Sequence, residues 1–229
     1  MTTSPSEIVI SGIRLDISSP EISRTLVEKM KLGFYEAQEA KCIKTAAQKG
    51  DRLLEIGAGL GFLSCIAAQT QLFEAITVVE ANPQLIGTIK RNHQINNAEC
   101  DVLNVVLSPE PVQAEATAPF YVRADFWASS LSPRPPHYAR IDHVPIYSFQ
   151  ALLDSFRPSF IACDIEGGEY NIFKGVRLTG VKKILVELHQ KVIGRKGMKY
   201  VFDTLSNKGF HYDQWHSSGS VVLFSHVER

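Results

Sequence analysis

Short apolar runs and longer amphipathic ones take turns along most of this chain. RLLEI (52–56), AITVVE (75–80), DVLNVVL (101–107), SFIACDI (159–165) and KKILVELH (182–189) each have the length and apolar character of a buried strand. Between them, GFLSCIAAQ, the segment from Pro83 to about Asn96, YSFQALLDSF and the stretch after EGGE through Phe173 read as helices, as does Lys199 to Asn207. Strand and helix in alternation predict βαβ units, and so a doubly wound α/β fold with a mostly parallel sheet covered on both faces. FHYDQWHS and SVVLFSH, joined by SSGS, predict a closing antiparallel hairpin.

Two regions depart from that rhythm. Residues 1–49 read as a helical extension packing on the α/β domain of 50–229: Ser19 caps a helix with Pro20 at its first position, Gly33 punctuates, and Gly50 closes a second helix begun near Phe34. Residues 108–145 carry prolines at 109, 111, 119, 133, 135, 136 and 145, with PFYVRADFW as one convincing strand. That density argues against a central helix or strand, and the segment is expected to be an insertion over the edge of the site.

The chain has 229 residues, 45% of them hydrophobic, which suits one good core rather than two domains. Lys plus Arg equals Asp plus Glu at 24 each, so no overall basic field gathers phosphates, and nucleic acid is not an expected partner. Cys42, Cys65, Cys100 and Cys163 lie far apart in or beside apolar runs and form no C-x-x-C, which suits buried thiols in a reducing compartment. No apolar run approaches membrane-spanning length and MTTSPSEIVISG lacks the pattern of a signal peptide, so the expectation is a cytoplasmic protein with no membrane partner.

The candidate chemistry begins at EIGAGLG, which follows a strand and opens a helix. Gly57, Gly59 and Gly61 allow a tight turn and close approach of a ligand. A dinucleotide fingerprint needs its third glycine where Phe62 stands, and Glu55 at the strand end would sit badly beside a pyrophosphate. Glu55 suits an ammonium instead, and S-adenosyl-L-methionine offers one, bound directly or through water, with the amides of the Gly57–Ala58–Gly59 turn and Gly61 facing its carboxylate. Glu80, 25 residues on in VVEANP, has the spacing of a carboxylate that chelates ribose hydroxyls, with Ala81 and Asn82 beside it. That last feature is shared with nicotinamide enzymes.

With GFYEAQE at 33–39, GDRLLEIGAGLGFLS at 50–64, VVEANP and RNHQINNA after it, ACDIEGGEYNIFKG at 162–175 and ILVELH at 184–189, the sequence resembles the FkbM family of S-adenosylmethionine-dependent methyltransferases. The resemblance implies a class I methyltransferase domain at 50–229, a Rossmann-like seven-stranded sheet and methyl transfer to oxygen, commonly on a sugar or secondary metabolite. The loop departs from the family's common D-x-G-A-N-x-G by carrying Glu55 and Gly59. Tyr35, Glu36 and Glu39 resemble the family's Y-E-x-x-E element, and spacing puts Tyr35 and Glu39 on one helix face, where they would contact cofactor or acceptor.

Strand ends are where the remaining groups should converge. Asp164, Glu166 and His189 are the candidates for catalysis, with Glu169 and Glu187 as substrate contacts; Glu187 and His189 are two apart and share a strand face. Crowded carboxylates raise one another's pKa and so supply a general base. Asp164 with Glu187 or His189 holding a divalent cation is the alternative. Arg91 and His93 read as solvated helix face, while Trp127, Arg134, His137, Tyr138 and Arg140 suit stacking on a sugar or holding an anion. The reading is therefore an O-methyltransferase acting on a small molecule, against a nicotinamide-dependent oxidoreductase or a cofactor-binding protein without turnover. Oligomeric state is not legible.

Overall fold

The computed structural model describes residues 7–134 and 136–228. The first six residues of the extension and Pro135 of the insertion lie outside them. The chain opens with a hairpin, β1 (Glu7–Ile10) and β2 (Ile13–Asp16), then α1 (Arg24–Lys31) and α2 (Ala37–Ala46). The α/β domain follows as β3 (Asp51–Ile56), α3 (Phe62–Thr70), β4 (Phe73–Val79), α4 (Ile86–Ile95) and β5 (Asp101–Leu103). Next come β6 (Val106–Ser108), β7 (Thr117–Val122) and β8 (Arg140–Ser148), then α5 (Phe149–Phe156), β9 (Phe160–Cys163), α6 (Glu169–Ile172), β10 (Lys183–Glu187), α7 (Gln190–Ser206), β11 (Phe210–Tyr212) and β12 (Val221–His226).

The main sheet has seven strands in the order β11-β12-β10-β9-β3-β4-β5. β10, β9, β3, β4 and β5 pair in parallel, and β12 runs antiparallel to both β10 and β11. This is the Rossmann-like, mostly parallel sheet with an antiparallel closing hairpin. Side chains of successive strand residues point to opposite faces, so a continuous apolar strand feeds two cores. Leu53, Phe160, Ala162 and Leu185 pack with α1, α2, α3 and the N-terminal hairpin, whereas Leu54, Ile161, Cys163 and Ile184 pack with α5 and α7.

Three local expectations are corrected. DVLNVVL is not one strand: Asn104 donates through Nδ2 to the carbonyls of Glu80 and Ala81 at 2.8 and 3.1 Å, tying the chain across the end of β4. β5 stays in the main sheet while β6 departs to pair with β8. The proline-rich insertion is also more regular than its composition suggests, because β7 and β8 form an antiparallel pair with Pro145 opposite Thr117. Ile146 N donates to Ala116 O at 2.8 Å, and in an antiparallel ladder such bonding alternates, so Pro145 sits where no N–H is required.

The third correction concerns the extension, which is only partly helical. Ser11 and Gly12 both have positive φ, 51° and 85°, and so make the two-residue turn that twists a hairpin correctly. Ser23, not Ser19, caps α1, its side chain accepting from Leu26 N. Asn92 of α4 accepts from Asp16 N at 2.7 Å and donates to Leu60 O at 2.8 Å, so one side chain fastens the hairpin to the glycine loop.

At the head of that loop Gly57 has φ 85°, and a Cβ there would lie 1.7 Å from the Asp164 carbonyl oxygen. The glycine is thus required by the neighbouring strand end. Gly57→Ala is expected to destabilise the protein by more than ~2 kcal/mol, read as a lower urea midpoint; an unchanged midpoint would show that the two segments do not meet this way.

Candidate active site

The C-terminal ends of β3, β4, β9 and β10 open into a cavity of about 760 Å³, within the range of small-molecule sites. Gly57, Gly59, Glu80 and Ala81 line it on the glycine-loop side, Tyr35, Glu36 and Glu39 on the side of the extension, and Asp164, Glu166, Glu187 and His189 at the β9–β10 end. The insertion supplies a further wall from Phe126 to Ser132. Arg123 braces that wall from within: its Nη1 donates to Ala128 O at 3.0 Å and its Nη2 to Ser132 O at 3.0 Å.

Glu80 is buried, and both its carboxylate oxygens accept backbone N–H groups, Oε2 from Gly59 at 2.9 Å and Oε1 from Asn82 at 2.7 Å. Burial pushes its pKa up to about 7 against the pull of those bonds. The carboxylate stands on the cavity wall, where a ribose diol is a suitable partner. Ala58, Gly61 and Asn82 do not line the cavity: Ala58 is buried, Gly61 caps α3, and Asn82 accepts from Gln84 N at 3.1 Å to shape the turn.

Glu55 lies beneath the loop, 2% exposed, rather than on the cavity wall. Burial, with the nearby Glu80 charge, raises its pKa to about 8. Glu55, Glu39, Asp164 and Glu187 surround a void of about 10 Å³, roughly the room one water molecule needs. The water-bridged version of the sequence expectation is the one this geometry suits.

At the β9–β10 end, the D-x-E-G-x-E segment folds back on itself. Glu166 adopts φ 51° and Gly167 φ 102°, where a Cβ on Gly167 would meet Val192 Cγ1 at 2.5 Å. Glu169 is not a substrate contact: its side chain is fully buried, and Oε1 accepts from Ile165 N at 3.2 Å while facing His189 Nδ1 at 3.0 Å. His189 lies beyond the end of β10, as the cap of α7, so the α7 turn and not strand alternation sets its position. Its Nε2 lies 3.4 Å from Glu166 Oε2 and 3.7 Å from Asp164 Oδ1. Glu187 Oε1 instead accepts from Ser220 Oγ at 3.2 Å.

The electrostatics of this cluster are mutual. Burial would lower the His189 pKa, but pairing with Glu166 and Glu169 and the charge of Asp164 overcome it and raise it to about 11. Asp164 is raised well above the carboxylate range by burial and by Glu187, with the His189 charge acting the other way. Tyr35 precedes α2 instead of sharing a helix face with Glu39, because the α2 cap residue Glu36 takes the left-handed conformation with φ 45°. Glu36 itself faces the cavity, and burial raises its pKa well above the usual value. The Y-E-x-x-E spacing was its signal in the sequence.

Of the insertion residues expected to meet an acceptor, Trp127 lines the cavity and receives Lys29 Nζ at 5.2 Å over its ring. Arg140 pairs with Glu21 and Asp142 at 3.1 and 3.0 Å, and Tyr138 packs edge-on against Tyr121. Phe126 and Ser129 to Ser132, which no motif marked, form the wall.

The sequence model of the methyltransferase FkbM domain matches residues 55–212. The chain belongs to the FkbM methyltransferase family. It is accordingly an S-adenosylmethionine-dependent methyltransferase, and the nicotinamide alternative falls. No curated protein matches the chain. Among solved structures, the methyltransferase is similar to a Pyrococcus horikoshii protein assigned as a transferase, with 13% identity, a TM-score of 0.50 and coverage of 96% of this chain and 71% of that one. It is also similar to the precorrin-6y C5,15-methyltransferase of Geobacter metallireducens (17% identity, TM-score 0.44, coverage 82% and 84%). TYW2 of M. jannaschii, crystallised with AdoMet, is 9% identical with a TM-score of 0.46 and coverage of 99% and 90%. At these identities the likeness concerns the fold alone. No helix among the described residues is long and apolar enough to cross a membrane.

His93 of this methyltransferase is buried behind the loop, 2.9 Å from Ser64 Oγ, rather than on a solvated face. Burial lowers its pKa to about 4, so the unfolded chain binds the proton first and stability is lost as pH falls from about 6.5 towards 4. The His93 ring resonance should titrate near 4 in an NMR pH series. Between pH 7 and 4 the wild type should lose about 3 kcal/mol more than His93→Asn, a difference that removes the opposite contribution of Glu55 and Glu80.

Proposed function

We propose that this methyltransferase places a methyl group on a hydroxyl of a small molecule. The observation that carries the reading is the arrangement of one cavity, with the glycine loop and Glu80 on one side and Asp164, Glu166, Glu187 and His189 together at another. The residues fit S-adenosylmethionine: a deep carboxylate suited to a ribose diol, bare glycine backbone on the wall, and acidic groups rather than lysines around the site. When bound, the cofactor supplies a methyl group made electrophilic by its sulfonium.

The chain's own part is to hold the acceptor oxygen in line and receive its proton. Asp164 and Glu187 are the carboxylates within the cavity suited to receive it, since Asp164 has a raised proton affinity and Glu187 is anchored by Ser220. Glu169 acts as a positioning residue by fixing His189 through Nδ1. The walls contributed by Tyr35, Phe126 and Trp127 favour an acceptor with an apolar or sugar-like face over a polyanion. Equal numbers of acidic and basic residues point the same way, against nucleic acid.

Isothermal titration with S-adenosylhomocysteine, followed by an acceptor panel of sugars and hydroxylated metabolites beside amines, tests the reading. Glu80→Ala should weaken homocysteine-compound binding at least ~10-fold, while Asp164→Asn should lower kcat more than it changes binding. Turnover of amines alone would overturn O-methylation, and equal loss of binding in both variants would move Asp164 to the cofactor.

A further inference from the structure

The β9–β10 end of the cavity gathers more carboxyl groups than basic ones. Asp164, Glu166, Glu187, Glu39 and Glu36 line the cavity, whereas Lys29 is the one lysine or arginine among the described lining residues and sits over Trp127. Carboxyl groups crowded in this way are met by protons, by a cationic side chain or by a metal. Within this group the donor atoms of Asp164, Glu166 and His189 all lie within 4.8 Å of one another.

The structure assigns to Asp164, Glu166 and His189 a binding site for one divalent cation of the manganese or zinc type. The separations of His189 Nε2 from Glu166 Oε2 and Asp164 Oδ1, 3.4 and 3.7 Å, exceed those of a charge-assisted hydrogen bond. They are close to the roughly 3.4 Å edge of a tetrahedron whose metal–ligand bonds are about 2.1 Å. Asp164 Oδ1 is buried and has no hydrogen bond among the described residues, so the oxygen nearest to Nε2 is available to a ligand. Beside it, Glu55 is 2% exposed, its Oε2 without a hydrogen bond, and it borders the void that Asp164 and Glu187 share.

The His189 ring is also held from behind. Glu169, fully buried, holds His189 Nδ1 at 3.0 Å, the arrangement by which a carboxylate fixes the ring of a metal-ligating histidine and turns the other nitrogen to the ion. One imidazole with two carboxylates is a mixed donor set that suits Mn²⁺ or Zn²⁺ better than Ca²⁺ or Mg²⁺, which prefer oxygen alone. The ion takes the place of the Nε2 proton, which is released to solvent, and three protein ligands leave positions open towards the cavity. The acceptor's oxygen would take one of them, its proton passing to Glu187 as the methyl carbon leaves sulfur for oxygen; this role, unlike the site itself, rests on the O-methylation reading.

The test uses the full chain after dialysis against EDTA, titrated with Mn²⁺ while the free ion is followed by electron paramagnetic resonance. One Mn²⁺ should bind per chain, displaced by Zn²⁺, and Glu166→Gln and His189→Ala should each weaken binding at least ~10-fold. Glu169→Gln, acting through the His189 ring, should weaken it as well. S-adenosylhomocysteine titration of the same variants reports whether they fold, and if His189→Ala does not, Glu166→Gln decides alone. No Mn²⁺ or Zn²⁺ binding at millimolar concentration, or binding indifferent to Glu166→Gln, overturns the site. Metal binding intact in a protein that methylates only amines would overturn the acceptor reading and leave the site standing.

Discussion

β3 and β9 lie side by side in parallel, and the fit of their ends governs everything built above them. Asp164 N donates to Ile56 O at 2.9 Å, continuing the ladder one step past the strand, and the Asp164 carbonyl then rests against the bare Cα of Gly57. Gly57 N in turn donates to Val79 O on the other side. Three strand ends are thus locked at one level, and the glycine loop, Glu80 and the acidic cluster inherit their spacing from backbone contacts. A side chain at Gly57 would push the two halves of the site apart.

Around that lock the protein holds acidic groups where water is scarce, and it does so by different means. Glu80 is compensated by two backbone N–H groups and Glu169 by an amide and an imidazole. Glu55 has less compensation, and burial shifts it towards the protonated form. The cluster at Asp164, Glu166 and His189 is compensated mainly by the histidine. Burial and these pairings together set the proton affinity of each group.

The flanking pieces act as fasteners. The N-terminal hairpin reaches the glycine loop through Asn92, and Arg123 ties the insertion segment that walls the cavity. Neither Asn92 nor Arg123 lines the cavity, yet each fastens a segment that does. Tyr35 and Glu36 come from the turn between α1 and α2, so the extension contributes directly to the cavity.

Much of this was legible in one dimension. The apolar runs with their alternation, EIGAGLG after a strand, and VVEANP at its distance marked the sheet and the glycine-loop side of the cavity, because they reflect local rules of strand, turn and helix. The D-x-E-G-x-E segment marked its own importance but not its internal division of labour. Only the tertiary structure put Glu169 inside and Glu166 outside, took His189 off the strand, buried His93 and kept Glu55 beneath the loop. It alone split DVLNVVL and gave the proline-rich insertion its strands. The physical reason is that periodicity reports which face of an element is apolar, whereas burial of a polar side chain and its pKa depend on residues tens of positions away.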